Sequence, residues 1–391
     1  MGVEAGQVFL APVTVGGQAF EVVVDTGSSD PWLVATNYTC VDYATLDPED
    51  ESYCDFGTPY NASASSTYSV LANENFNISY ADGEACTGSM AYESFTMGGI
   101  TVPNQQFGVV EYAAWYGDGY SSGLIGFAYR TLTSAYVGTD PLQDQAGSQL
   151  LYNPLFVNMF TNQGVPPVFS LAIDRDPDNG GVLALGGIPD VPHSPVFAST
   201  PIVPLGMNIT NNQAVYEFYT ITVDGFAYSA SESTQFNSYS NNNPSKTSLV
   251  GNGSTAIVDS GTTLLYAPNN VAQGANLLFD PPGTFSAVGS DGYGIWIVDC
   301  DAKPPVFGVS IGGKIFYVNP LDLVVVYSQD PNTGVYTCVS GIQPQFASVY
   351  SVLGDVWMKN VISVFDIGAE QMRFAAREYY GLTDQTKAVN T

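Results

Sequence analysis

Short runs rich in Val, Ile, Tyr, Phe and Thr alternate with clusters of Gly, Pro, Asn and Asp almost throughout the chain. AFEVVVDTG, NFNISYADG, VFSLAIDRD, GGVLALGG, EFYTITVDG and GIWIVDC are representative. β-Branched and aromatic side chains suit a pleated, half-buried surface, and the residues between the runs suit tight turns. The pattern predicts an all-β protein of many short strands. Helical periodicity is sparse. In SQLLYNPLFVNMFTNQG apolar residues recur near every third or fourth place, and Pro154 must start or kink a helix there. Two smaller helices are expected over residues 269–279 and 355–361.

The polar, turn-rich segment DRDPDNGG falls near the middle and marks a lobe boundary, giving an N-terminal lobe over 1–176 and a C-terminal lobe over 177–391. A second polar stretch, SYSNNNPSKTS, reads as a surface loop. The chain also repeats itself. An apolar strand running into Asp, then Ser or Thr, then Gly occurs as FEVVVDTGSSD and again as STAIVDSGTTL. Two apolar residues followed by Gly come later in each half, 101 residues from Asp25 to Gly126 and 95 from Asp259 to Gly354. The same elements in the same order suggest a duplicated lobe.

Charge narrows the function classes. The 391 residues carry 37 acidic and 9 basic side chains, a net charge of −28, with a pI near 4.1. Nucleic-acid phosphate and anionic lipid would repel such a polyanion, and the basic residues, first met at Arg130, are too scattered to form a patch. Acid suits it: near pH 4 many carboxyls are half protonated, and a chain with few cations stays close to neutral. The single histidine, His193, sits in VPHSPVF with no motif around it and reads as a loop residue, so acid–base chemistry falls to carboxylates. Five cysteines allow fifteen ways to form two disulfides. Cys40 and Cys54 bracket a short acidic loop, Cys300 and Cys338 a longer one, and Cys86 is the odd one. No Cys/His spacing suits a metal, and no metal or cofactor is expected. Asn-x-Ser/Thr acceptors at Asn37, Asn61, Asn77, Asn208 and Asn252 point to a secreted glycoprotein. The start, MGVEAGQVFLAPV, and the tail, LTDQTKAVNT, show no signal peptide or anchor, so the expectation is a mature form with Met1-Gly2 added, outside membranes.

The two D-[ST]-G triplets are the matched pair on which chemistry can rest. A strand running straight into Asp puts its carboxyl at the edge of the core. Gly27 and Gly261 let the backbone turn and bring N–H groups near it, and neighbouring hydroxyls can fix its outer oxygens. If the halves face each other about an approximate two-fold axis, Asp25 and Asp259 meet. They then share one proton in acid, as aspartic-protease dyads are known to do. One carboxylate can take a proton from water while its partner protonates a carbonyl oxygen.

VVDTGSSDPWL, ISYADGEACTG, GLIGFAY, AIVDSGTTLLYAP and YSVLGDVWMKNVISVFDIGAEQMRFA together make nearly the whole chain resemble the pepsin family of aspartic peptidases, its fungal members above all. The resemblance implies a bilobal β fold with a cleft for an extended peptide, Asp25 and Asp259 as catalytic dyad, and Ser28 and Thr262 as the hydroxyls on its outer oxygens. It puts Tyr80 at the flap, on a hairpin turning at Asp82-Gly83, with the Trp32 indole supporting its hydroxyl. Val23, Trp115, Leu124, Ile257 and Thr263 would line the cleft, favouring large apolar residues on both sides of the cut. Asp82, at the flap tip, suggests tolerance of lysine before the cut, as in fungal relatives with Asp there. A propeptide absent here, pepstatin-type inhibitors, protein and peptide substrates, a monomer, and secretion rather than a vacuolar address are also implied. The expected disulfides are Cys40–Cys54 and Cys300–Cys338, with Cys86 free, buried and inert. Ser122-Gly123 where many relatives have Asp-Gly, Pro31 before Trp32, and Cys86 depart from the family pattern without removing a catalytic group. Two other classes compete: a non-catalytic relative of the same fold, argued against by the intact Asp pair and Tyr80, and a secreted two-carboxylate glycosidase, which leaves the repeated motifs unexplained.

Overall fold

The computed structural model describes residues 2–3, 8–145, 147–175, 180–208, 210–230, 249–287, 294–345 and 350–377. The loop SYSNNNPSKTS, the 176/177 boundary and the tail LTDQTKAVNT lie outside them. The fold is all-β, with few and short helices. Its described residues divide into two compact units: those within 1–167, 174–181 and 204–218, and those within 168–173, 182–203 and 219–391. These units differ from a division at 176/177 in three segments. Val168–Ile173 pairs with Val361–Asp366 and so belongs to the second unit, whereas Gly180 and Gly181, and 204–218, belong to the first.

The first unit is built on a ten-stranded sheet. Its order runs Gly2–Val3, Val8–Val15, Gln18–Asp25, Gly123–Gly126, Pro31–Val41, Ile100–Ala114, Ala85–Met97, Ser69–Ser79 and Ala135–Val137, with Pro48–Glu49 paired to Pro31–Val41. Val8–Val15 also pairs with Ala85–Met97 through Thr14 and Thr96, so the sheet curls back on itself. One cluster gathers Trp32, Val34, Phe76, Met90, Trp115 and Leu124 into its core. Aromatic side chains dominate there because each buries about 150–250 Å². The helix Leu155–Asn162 begins directly after Pro154, whose missing N–H costs nothing at a helix start, and it buries Leu155, Phe156 and Met159 along one face.

The second unit uses several smaller sheets. One holds Thr220–Thr222, Thr255–Val258, Ser351–Leu353, Leu265–Ala267 and Ile342–Pro344 in that order. Another stacks Phe169 against Phe365 with ring centroids 4.4 Å apart, across the pairing of Val168–Ile173 with Val361–Asp366. Helices Asn269–Asn276 and Asp355–Met358 start where the periodicity places them. The one-turn helix Glu51–Cys54, inside the acidic loop, has no periodic signal in the sequence.

Cys40 is bonded to Cys54 and Cys300 to Cys338, and Cys86 is free and buried.

Candidate active site

The two repeated motifs fold the same way. In the first unit Val23, Val24 and Asp25 pair in parallel with Leu124, Ile125 and Gly126. The strand that leaves the motif then pairs antiparallel with the same partner, Pro31 opposite Ile125 and Trp32 opposite Leu124. In the second unit Ala256, Ile257 and Val258 pair in parallel with Ser351, Val352 and Leu353. Leu265 and Tyr266 return antiparallel opposite Leu353 and Val352. Each Asp thus ends a central apolar strand whose two neighbours are both occupied.

The apolar-apolar-Gly signals have a steric cause. A Cβ on Gly126 would come within 2.4 Å of the Ser29 nitrogen and 2.5 Å of the Ser28 carbonyl. One on Gly354 would come within 2.3 Å of the carbonyl oxygens of Thr262 and Leu264. Only glycine lets these strand ends approach the loop beside each Asp. The approach is fastened by backbone bonds: Phe127 N–H to the Asp25 carbonyl at 2.7 Å, and Asp355 N–H to the Thr262 carbonyl at 2.9 Å.

Around each carboxyl the donors correspond. Asp25 Oδ1 accepts from the Gly27 N–H at 2.7 Å, and its Oδ2 accepts from the Ser28 hydroxyl. Asp259 Oδ1 accepts from the Gly261 N–H at 2.9 Å, and its Oδ2 from the Thr262 hydroxyl at 2.7 Å. Asp25 is buried and Asp259 half-buried. One N–H and one hydroxyl hold each side chain in a single orientation. A fixed carboxyl is what proton transfer to a positioned substrate requires.

Beside Asp25, Tyr80 directly follows the strand Ser69–Ser79 and opens a tight hairpin. Its N–H donates to the Glu84 carbonyl at 2.8 Å, and the Gly83 N–H returns to the Tyr80 carbonyl at 3.0 Å. Gly83 has φ +99°, which a three-residue hairpin loop needs at this place. The Asp82 side chain is exposed, and its Oδ1 accepts from the Glu84 N–H at 3.1 Å. Trp32 Nε1 donates to the Tyr80 hydroxyl at 2.8 Å. Trp115 stands edge-on to both rings, 5.1 Å from Trp32 and 5.6 Å from Tyr80. Burial, and then the charge of Asp25, push the Tyr80 hydroxyl well above the usual phenol range, so it remains a donor.

The other expected lining residues are distributed between units. Val23, Leu124 and Trp115 belong with the Trp32 cluster, Val23 half-buried and the other two buried. Ile257 is buried on its strand and Thr263 half-buried beside Thr262. The acceptor asparagines are unequal. Asn37, Asn208 and Asn252 are exposed, and Asn61 spends its side-chain oxygen on Ser63. Asn77 differs, because its Nδ2 donates to the Pro141 carbonyl at 3.2 Å and to Asp144 Oδ2 at 2.9 Å. A glycan bonded to that nitrogen would displace a donor hydrogen from this pair.

Motif reading missed two carboxyls near the flap. Asp30, fully buried, accepts from the Ser134 N–H at 2.9 Å and from the Tyr152 hydroxyl; burial lifts its pKa to about 6 against these lowering bonds. Glu84 accepts from the Tyr116 N–H at 2.8 Å. Its burial, with the nearby charge of Asp82, lifts it to about 8. Their partners lie 32 to 122 residues away, so no local motif could announce them.

Comparison with known proteins agrees with this architecture. The family described as eukaryotic aspartyl protease matches residues 8–377. A protein named "Probable aspartic-type endopeptidase" from Aspergillus fumigatus is 41% identical over 373 residues, covering 94% of this chain and 78% of the relative. Penicillopepsin-1 of Penicillium janthinellum is 27% identical over 369 residues, 94% of each chain. Cathepsin D of Dictyostelium discoideum is 28% identical over 378 residues, 94% of this chain and 82% of its own. The chain belongs to the eukaryotic aspartyl proteases and is an enzyme of the pepsin-like, aspartic endopeptidase type.

Proposed function

We propose that Asp25 and Asp259 act as one catalytic pair that hydrolyses peptide bonds in acid. The observation that carries this is the correspondence of donors: each carboxyl has one oxygen on a glycine N–H two residues ahead and the other on a hydroxyl three residues ahead. With one proton shared between them, the ionised member takes a proton from water, and the water oxygen attacks the scissile carbonyl carbon. The protonated member gives its proton to the carbonyl oxygen. The resulting diol collapses, the C–N bond breaks, and the amine leaves with a proton returned through the pair. At higher pH both carboxyls ionise and no general acid remains, so activity falls towards neutrality.

Substrate preference follows from the walls near Asp25. Val23 and Tyr80 pack on the Trp32, Trp115 and Leu124 cluster, which supports a taste for large apolar residues beside the cut. Asp82 supports acceptance of lysine before it. Two disulfides and exposed Asn37, Asn208 and Asn252 support secretion into an oxidising compartment, with pepstatin-type compounds as inhibitors. Asp25→Asn and Asp259→Asn should each lower turnover of a peptide library at pH 3 to 5 by on the order of 10²–10⁴-fold or more, with circular dichroism unchanged. Retained turnover in either variant would end the paired reading.

A further inference from the structure

Glu84 lies just past the flap loop, where the ladder between Ala85–Met97 and Ile100–Ala114 stops. The last paired residues there are Ala85 and Ala114. Beyond that point the backbones no longer bond, and the Glu84 side chain continues the connection by accepting the Tyr116 N–H at 2.8 Å. The residue before Tyr116 is Trp115, whose ring meets Tyr80 and Trp32 edge-on. Tyr80 is in turn bonded through its N–H to the Glu84 carbonyl and through its hydroxyl to Trp32. These contacts close a ring: Glu84 to Tyr116, along the backbone to Trp115, across to Tyr80, and back to Glu84. We propose that Glu84 is a positioning residue that fastens the flap hairpin to the segment carrying Trp115, and so sets the wall against which the substrate side chain packs. This role for substrate rests on the peptidase reading given above.

The surroundings make the fastening sensitive to pH. Asp82 at the hairpin tip, Tyr43, Tyr116 and buried Cys86 are the titratable groups around it. The Tyr43 hydroxyl reaches the loop, since a Cβ on Gly83 would lie 2.2 Å from it. No Lys, Arg or His occurs before Arg130, so this part of the chain brings no cation to the carboxyl. Burial therefore keeps Glu84 neutral up to about pH 8, and its carbonyl oxygen accepts the Tyr116 N–H throughout the acid range. The Tyr116 N–H favours the ionised form and lowers the pKa, but burial outweighs it and the charge of Asp82 adds to burial. Once ionised, the group gains by turning to water, and the connection loosens.

The test compares Glu84→Ala, which removes the acceptor, with Glu84→Gln, which keeps an acceptor and removes the titration. In Glu84→Ala, hydrogen exchange at the Tyr116 amide should speed up about tenfold, the size of one lost bond. KM for an apolar peptide should rise several-fold while kcat stays within about twofold. Glu84→Gln should match the parent in both. Tryptophan emission in the parent should change with a midpoint near pH 8 and stay flat there in Glu84→Gln. Unchanged exchange in Glu84→Ala, or an emission transition that survives in Glu84→Gln, overturns the proposal. A parent chain that cuts no peptide would sink the peptidase reading instead, and the exchange and emission measurements would still decide the role of Glu84.

Discussion

Asp82 performs one task in the structure and is proposed for a second. Its Oδ1 holds the Glu84 N–H and thereby shapes the hairpin, which is what a carboxylate or a hydroxyl does in such turns. Reading a lysine ammonium would use the charge. Serine at this position keeps an acceptor for the turn and removes the charge, so Asp82→Ser separates the two tasks better than alanine does. On paired peptides differing only by Lys or Phe before the cut, Asp82→Ser should weaken kcat/KM for the Lys peptide by about 1.5–3 kcal/mol and leave the Phe peptide nearly unchanged. Equal losses would mean that Asp82 shapes the flap and reads nothing. At this scale, legibility in the sequence follows distance along the chain. Ser28 and Thr262 sit three residues from their carboxyls, within reach of any reader of the triplet. Glu84 with Tyr116, and Asp30 with Tyr152, meet only after the sheet has formed.

Among the elements, the strand-rich pattern and the helix after Pro154 were readable, because period and punctuation are local properties. Sheet order was not. The parallel partner of Gln18–Asp25 is Gly123–Gly126, and nothing in the alternation of either strand names the other. The repeat offered the one clue, two apolar residues then Gly at similar distances from each Asp; the tight approach of Gly126 and Gly354 explains why that residue recurs. The movement of Val168–Ile173 into the second unit was invisible for the same reason: its partner Val361–Asp366 is remote in sequence. The disulfides give an element-scale prediction. Cys300–Cys338 spans 38 residues and Cys40–Cys54 spans 14. In the chain-entropy account their removal costs about 4 and about 3 kcal/mol. Replacing each pair by serine should therefore lower the urea midpoint more for the longer loop. The reverse order would show that the loop holding Tyr43 and Tyr53 matters through its packing against Tyr116 rather than through chain entropy.

For the whole molecule, pH acts through charge and through a few buried acids. The net charge of −28 makes the folded chain increasingly self-repelling as its 37 acidic groups ionise. Asp30 adds a specific contribution in the same direction. It is fully buried, only one of its oxygens is hydrogen-bonded, and burial lifts its pKa from 3.8 to about 6. A folded-state pKa above the unfolded one means that the native chain binds more protons between the two values. The stabilisation is thus complete below about pH 4 and is lost as pH rises through about 6. The shift corresponds to about 3 kcal/mol. Glu84, raised to about 8, extends the decline further. Glu93 opposes it. Burial would raise that acid, but donors from Ser65, Thr67, Tyr60 and the Ser94 N–H hold it below the usual range, so it favours the fold until pH drops through its own lowered pKa. Unfolding free energy measured by denaturant should therefore fall between pH 4 and pH 7. Asp30→Asn keeps the acceptor for Tyr152 and Ser134 and cannot ionise, so it should flatten the pH 4 to 7 part of that curve, removing most of that ~3 kcal/mol. A variant curve running parallel to the parent over that interval would remove Asp30 as the cause and leave general repulsion to account for the decline.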